Sequence, residues 1–109
     1  IADQRVAEAA RFVREHACDG MGVDMMVDRL KTSRSTLERW FQRALGRSLT
    51  DEILRIRVNR AAELLVTTHL TVEKIACQTG FVHVESMSRI FKRQQGLSPG
   101  QYRLKFKLE

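Results

Sequence analysis

One proline, two cysteines and three histidines are all that this 109-residue sequence holds of those types, and the scarcity excludes several kinds of site. Cys18 and Cys77 stand far apart, with no CxxC pair and no histidines at ligand spacing, so neither a zinc centre nor a disulfide framework is indicated. A reducing cytoplasm is the expected compartment. His16, His69 and His83 have no triad spacing, no glycine-rich phosphate loop occurs, and the carboxylates are scattered, which leaves an enzyme reading without a foundation. Cys77 follows Ala76 on an apolar stretch and is expected to be buried and inert rather than a nucleophile. No cofactor is expected. Aromatics at 6% are too few to line a channel for single-stranded bases, and Phe12 and Trp40 read as core or rim packing. No apolar run approaches the roughly 18 residues of a membrane span, and no signal-peptide pattern opens the chain. A chain that opens on Ile1 rather than Met is expected to be part of a longer protein.

What is abundant is positive charge. Nineteen Lys and Arg against 13 Asp and Glu give a net charge of +6, and the pI is near 10.0. A pI above about 9 is the usual electrostatic footprint of a nucleic-acid-binding domain. The excess sits in two blocks: residues 29–60 carry nine basic and three acidic side chains, residues 86–108 carry six basic and none acidic, and the rest is net acidic. Two separate regions of phosphate contact are expected. The same blocks also fit a helical interaction module that meets an acidic protein, and a salt titration on duplex DNA separates the two readings.

Apolar residues recur at three and four, never strictly at two, so the fold class is all-α. Val6, Ala9, Ala10, Val13 and Ala17 make one stripe ending near Gly20, and a short helix follows from about Val23 to Leu30. Ser33 stands at an N-cap position ahead of Leu37, Phe41, Ala44 and Leu45, all expected to face inward, with Gly46 as the stop. Ser48 opens a longer helix to about Val66, with Ile53, Ile56, Arg60 and Leu64 on one face and Leu54, Ala61 and Leu65 beside them. Thr71 caps a helix bearing Val72, Ile75 and Ala76, another carries Met87, Ile90 and Phe91 before Gly96, and Ser98-Pro99 starts the last.

An internal repeat organises these elements. Leu37, Arg39, Phe41, Arg43, Gly46 and Ser48 match Met87, Arg89, Phe91, Arg93, Gly96 and Ser98 at an offset of 50, whereas Val23, Met26 and Val27 match Val72, Ile75 and Ala76 at 49. The second copy therefore has one extra residue in its turn. Two helix-turn-helix subdomains joined by a long linker helix are expected, with boundaries at 1–47, 48–67 and 68–107. In such a unit the second helix buries one face and presents polar groups on the other to the major groove of double-stranded promoter DNA. Arg34, Ser35, Glu38, Arg39, Gln42 and Arg43 are the candidates in the first unit, and Val84, Glu85, Ser88, Arg89, Lys92 and Arg93 in the second. Arginine can pair with guanine O6 and N7 or clamp a phosphate; Glu38 and Glu85 can accept from a cytosine amino group or orient a neighbouring arginine.

Ile75-Ala76-x-x-x-Gly80-Phe81, then Arg89-x-Phe91-Lys92-x-x-x-Gly96-x-Ser98-Pro99-x-x-Tyr102-Arg103, resembles the signature of AraC-type transcription activators. Arg57-Val58-x-x-Ala61-x-x-Leu64-Leu65 is similar to the linker helix of that family. The resemblance implies about seven helices in homeodomain-like three-helix units, two recognition helices, and RNA polymerase as a partner. A narrower set, Asp3-Gln-Arg-Val6, His16-Ala-Cys18-x-Gly20-x-x-Val23-Asp24 and Ser33-Arg-Ser35-x-Leu37-Glu38, resembles the xylose-operon branch. That branch implies a sugar-sensing N-terminal effector domain, absent from this chain, through which dimerisation occurs. Lys31 departs from the family in standing where the first turn usually has glycine, and Met87 replaces the usual Phe.

Overall fold

A computed structural model describes residues 4–20 and 22–108; Ile1 and Asp3 lie outside the described residues. Among these the chain forms seven α-helices and no strand: α1 Gln4–His16, α2 Val23–Leu30, α3 Arg34–Leu45, α4 Leu49–Thr67, α5 Val72–Gln78, α6 Val84–Gln95 and α7 Pro99–Phe106, with a 3-10 turn at Ala17–Asp19 after α1. No described helix is long and apolar enough to cross a membrane.

Side-chain caps place most of the starts. Ser33 accepts the Thr36 N–H, Ser48 that of Asp51, Thr71 that of Lys74 and Ser98 that of Gln101, whose own side chain accepts the Ser98 N–H. Each satisfies a donor that the first turn of a helix leaves unpaired. Two stops need a left-handed residue at equivalent places in the repeat. Lys31 ends α2 at φ 52, and Gly80 turns the chain after α5 at φ 89. Lys31 is exposed, so its side chain meets only the backbone strain of about 1 kcal/mol. At Gly80 a Cβ would lie 2.9 Å from the Ala17 carbonyl oxygen, so glycine there answers to packing as well as to φ.

Two cores share one helix. Ala9, Val13, Ala17, Met26, Leu37 and Phe41 close around Leu49 and Ile53 from the first turns of α4. Ile75, Ala76, Phe81, Met87, Ile90 and Phe91 close around Val58, Ala61, Ala62, Leu64 and Leu65 from the rest of it. Tyr102 of α7 meets Phe91 edge-on at 5.3 Å between ring centroids, a favoured aromatic geometry. The C-terminal end of α4 is closed by Arg103, whose guanidinium donates to the carbonyls of Leu65 at 2.9 Å and Thr68 at 3.2 Å. Positive charge at a helix C-terminus also complements the macrodipole.

Two expectations are corrected. Ala44 and Leu45 are exposed, not inward: they lie on the last turn of α3, beyond Phe41, the last buried residue of that helix. Arg60 of α4 is exposed and paired with Glu63. Cys77 is exposed: Ile75 and Ala76 take the buried face of α5, and the next residue, about 100° further round, turns outward. Phe12 and Trp40 are half-buried against the first core, as expected, with the Arg5 guanidinium 5.1 Å from the Trp40 ring.

Candidate nucleic-acid interface

The second helix of each unit, α3 and α6, is held by the same inward residues and leaves the same outward arc. Leu37 and Phe41 are buried in α3, and Met87, Ile90 and Phe91 in α6. At about 100° per residue, Ser35, Arg39 and Gln42 fall within roughly 60° of one another on the opposite side, and the offset of 50 puts Glu85, Arg89 and Lys92 on the matching arc. All six are exposed, as are the flanking Arg34, Arg43 and Arg93. None of Arg34, Arg39, Arg43, Arg89, Lys92 or Arg93 takes part in an ion pair among the described residues. Among the described residues, Arg39 makes a long 3.5 Å contact to Thr36 Oγ1. Unpaired guanidinium groups on a convex helix face are available to phosphate oxygens and to guanine.

Three of the twelve candidates sit differently. Val84 is half-buried and packs on the second core, and Ser88 is half-buried. Glu38 is half-buried and its carboxylate accepts the Leu49 N–H at 3.1 Å, tying α3 to the first residue of α4. Leu49 N–H is one of the donors that a helix start leaves unpaired, so a carboxylate there makes a charge-assisted bond and meets the positive end of the helix dipole. The repeat explains why only one unit has this tie. The residues equivalent to Glu38 and Leu49 are Ser88 and Pro99, and proline has no N–H to give.

Reasoning from the sequence missed a further group below α3. Glu52, buried on the first turn of α4, receives Arg47 Nη1 at 2.6 Å and a two-pronged bond from Arg55 at 2.9 Å to each oxygen. The Arg55 hydrogen bonds, aided by Arg47, hold this carboxyl below the usual glutamate range against the opposing effect of burial. Two of the cations counted in the first basic block are thus engaged internally. The acidic residue between two arginines was visible in the sequence, but not the direction in which all three point.

A family described as a helix-turn-helix domain matches residues 26–105. The chain belongs to the AraC-type helix-turn-helix family. This family is one of DNA-binding transcription regulators, and the domain is of that DNA-binding kind. The chain is similar to the xylose operon regulatory protein of Escherichia coli (strain K12), with 30% identity over 103 residues, 94% of this chain and 26% of that protein. It is also similar to the regulatory protein SoxS of the same organism, at 29% identity over 90% of this chain and 92% of that one. The chain therefore spans about a quarter of the length of the xylose regulators it matches.

Solved structures agree. The C-terminal domain of AraT, a response regulator from Geobacillus stearothermophilus, superposes with a TM-score of 0.92 at 29% identity, covering 98% of this chain and 89% of that one. The xylose-binding transcription activator xylR gives 0.83 at 29%, covering 99% of this chain and 28% of its own. The DNA-binding domain of AdpA, solved in complex with a target DNA, gives 0.86 at 30%, covering 93% and 91%. The AraC-type fold expected from the signature, and the narrower likeness to xylose regulators, are both borne out.

Proposed function

We propose that this domain reads promoter DNA by placing α3 and α6 in successive major grooves on one face of the duplex, as part of an activator of a sugar-utilisation operon. The observation that carries the reading is the equivalence of the two helices: matching buried residues at Leu37 and Met87 and at Phe41 and Phe91, the same outward arc, and cations on both that pair with no carboxylate among the described residues. The scale fits as well. Nineteen residues of α4 rise about 29 Å at 1.5 Å each, and the long dimension of the domain is 43 Å. Successive major grooves on one side lie about 34 Å apart. A span slightly shorter than the groove repeat favours a bend in the DNA toward the protein.

Within this reading Arg39 and Arg89 contact base edges at mid-helix, with Ser35, Gln42, Glu85, Ser88 and Lys92 beside them. Arg34, Arg43 and Arg93 contact the flanking phosphates, Val84 packs against a base edge or a thymine methyl, and Glu38 positions α3 rather than reading a base. AdpA, a relative solved with its target DNA, supports the choice of partner. The reading also takes in contact with RNA polymerase, dimerisation through an N-terminal effector domain and a place in the cytoplasm, and the likeness to a xylose-binding transcription activator supports xylose as the effector. No catalytic role is assigned.

Selection of bound sequences from a random DNA pool, followed by hydroxyl-radical footprinting, tests the reading. Two protected segments about one helical turn apart are expected; protection of a single segment overturns it. Arg39→Ala and Arg89→Ala are each expected to relax preference at one base pair by about 1–3 kcal/mol.

A further inference from the structure

Arg57 lies near the middle of α4, where the residues given to the first core end and those given to the second begin. Its Nε donates to the carbonyl oxygen of Ala17 at 2.6 Å, in the turn that closes α1 of the first unit. Its guanidinium carbon stands 5.7 Å from the ring centroid of Phe81, in the turn between α5 and α6 of the second. The two turns also meet backbone to backbone. A Cβ on Gly80 would fall 2.9 Å from the Ala17 carbonyl oxygen, 2.9 Å from Arg57 Nε and 3.2 Å from the carbonyl carbon of Cys18.

Both partners of this guanidinium are uncharged, and burial lowers its proton affinity from the ordinary arginine value, yet arginine remains cationic at neutral pH. A charge held in that setting is directional: the carbonyl fixes one edge of the fork, and the aromatic ring lies within cation–π reach of the guanidinium. Apolar packing along a shared rod sets how far apart the two units sit and which face of the rod each grips. The contact at Arg57 adds a directional tie directly between the two units' turns. Rotation matters for a bipartite DNA target, because inserting one base pair moves a half-site by about 34° as well as by about 3.4 Å.

We propose that the junction of Arg57 with Ala17 and Phe81 fixes the rotation of α6 relative to α3, making Arg57 a positioning residue that determines which half-site spacing the domain accepts. The proposal rests on the two-groove reading above. The operator recovered by selection is used in a series with one or two base pairs added or removed between half-sites, and in versions with either half-site scrambled. The wild-type chain loses binding about tenfold on a one-base-pair change. Arg57→Ala keeps its affinity for each single half-site, loses about tenfold on the natural spacing, and shows a broadened spacing profile. Arg57→Lys, which keeps the charge and a donor but not the flat fork, falls between.

Residual dipolar couplings of the free protein give a readout without DNA: one alignment tensor for both units in the wild type, two in Arg57→Ala. Persistence of either the single tensor or the wild-type spacing profile in a folded Arg57→Ala chain overturns the proposal. If Arg57→Ala does not fold, Arg57→Lys and Arg57→Met carry the same comparison. A wild-type chain with one tensor but no second half-site refutes the two-groove reading, whereas two tensors in the wild type refute the junction itself.

Discussion

Replacing Glu38 separates its two available roles, because structure and recognition give opposite outcomes for the same substitution. The carboxylate is half-buried and accepts one backbone N–H at the positive end of α4. A hydrogen bond to a charged group contributes about 1.5–3 kcal/mol, and its half-exposed setting favours the lower end. Interaction with the helix dipole adds about 0.3–1 kcal/mol. Glu38→Ala is therefore expected to destabilise the domain by about 2 kcal/mol, and Glu38→Gln, which retains an acceptor without the charge, by about half as much. At roughly 4–8 °C per kcal/mol for a domain near this size, thermal unfolding followed by circular dichroism should fall by about 10 °C for Ala and about 5 °C for Gln. Ser88→Ala, at the equivalent place in a unit where Pro99 offers no N–H, should shift the midpoint by no more than about 0.5 kcal/mol. Base preference in a selection assay should survive Glu38→Gln. An unchanged melting temperature together with relaxed preference at one base pair would refute the assignment and return Glu38 to the reading surface.

Other outcomes follow from the same geometry. Gly80→Ala meets both a left-handed φ and contacts under 3 Å, so it should destabilise by about 2–4 kcal/mol, whereas Gly96→Ala, with φ 83 and nothing within 4 Å, should lose only about 1–2; urea unfolding distinguishes them. Because Glu52 is held below the usual glutamate range in the folded state by Arg55 and Arg47, its contribution is complete above about pH 4.3 and is lost as pH falls through the lowered folded value. Glu52→Gln should therefore reduce stability by about 1–2 kcal/mol at pH 7 and flatten the acid limb of a stability profile; a parallel acid limb in both proteins would contradict this.

Most of the fold was legible because it is written in short-range signals. Ser33, Ser48, Thr71 and Ser98 announce helix starts by their side-chain chemistry, and Gly46 and Gly96 announce stops, so the boundaries found at 34–45 and 49–67 follow from neighbouring residues. The outward arcs were legible for the same reason, since helical periodicity fixes which residues oppose Leu37 and Phe41. What escaped depends on pairs distant in sequence. Glu38 finds Leu49 eleven residues away, and Arg57 finds Ala17 forty residues away, through the packing angle of one helix on another. Ala44 and Leu45 continue the apolar period past Phe41, the last buried residue of α3, and periodicity alone does not say where along a helix the packing stops. The exposure of Cys77 turns on a single step around a seven-residue helix, finer than an apolar stretch specifies.

The division of α4 between two cores means that neither half of the repeat is a module in its own right. Severing that helix would unlink the two interiors, so with the helix whole the pair is expected to melt in one cooperative transition, and a destabilising change in one half is expected to lower the folded population of the other. A repeated motif is in this way expected to unfold as one body while its two outward surfaces stay free to differ.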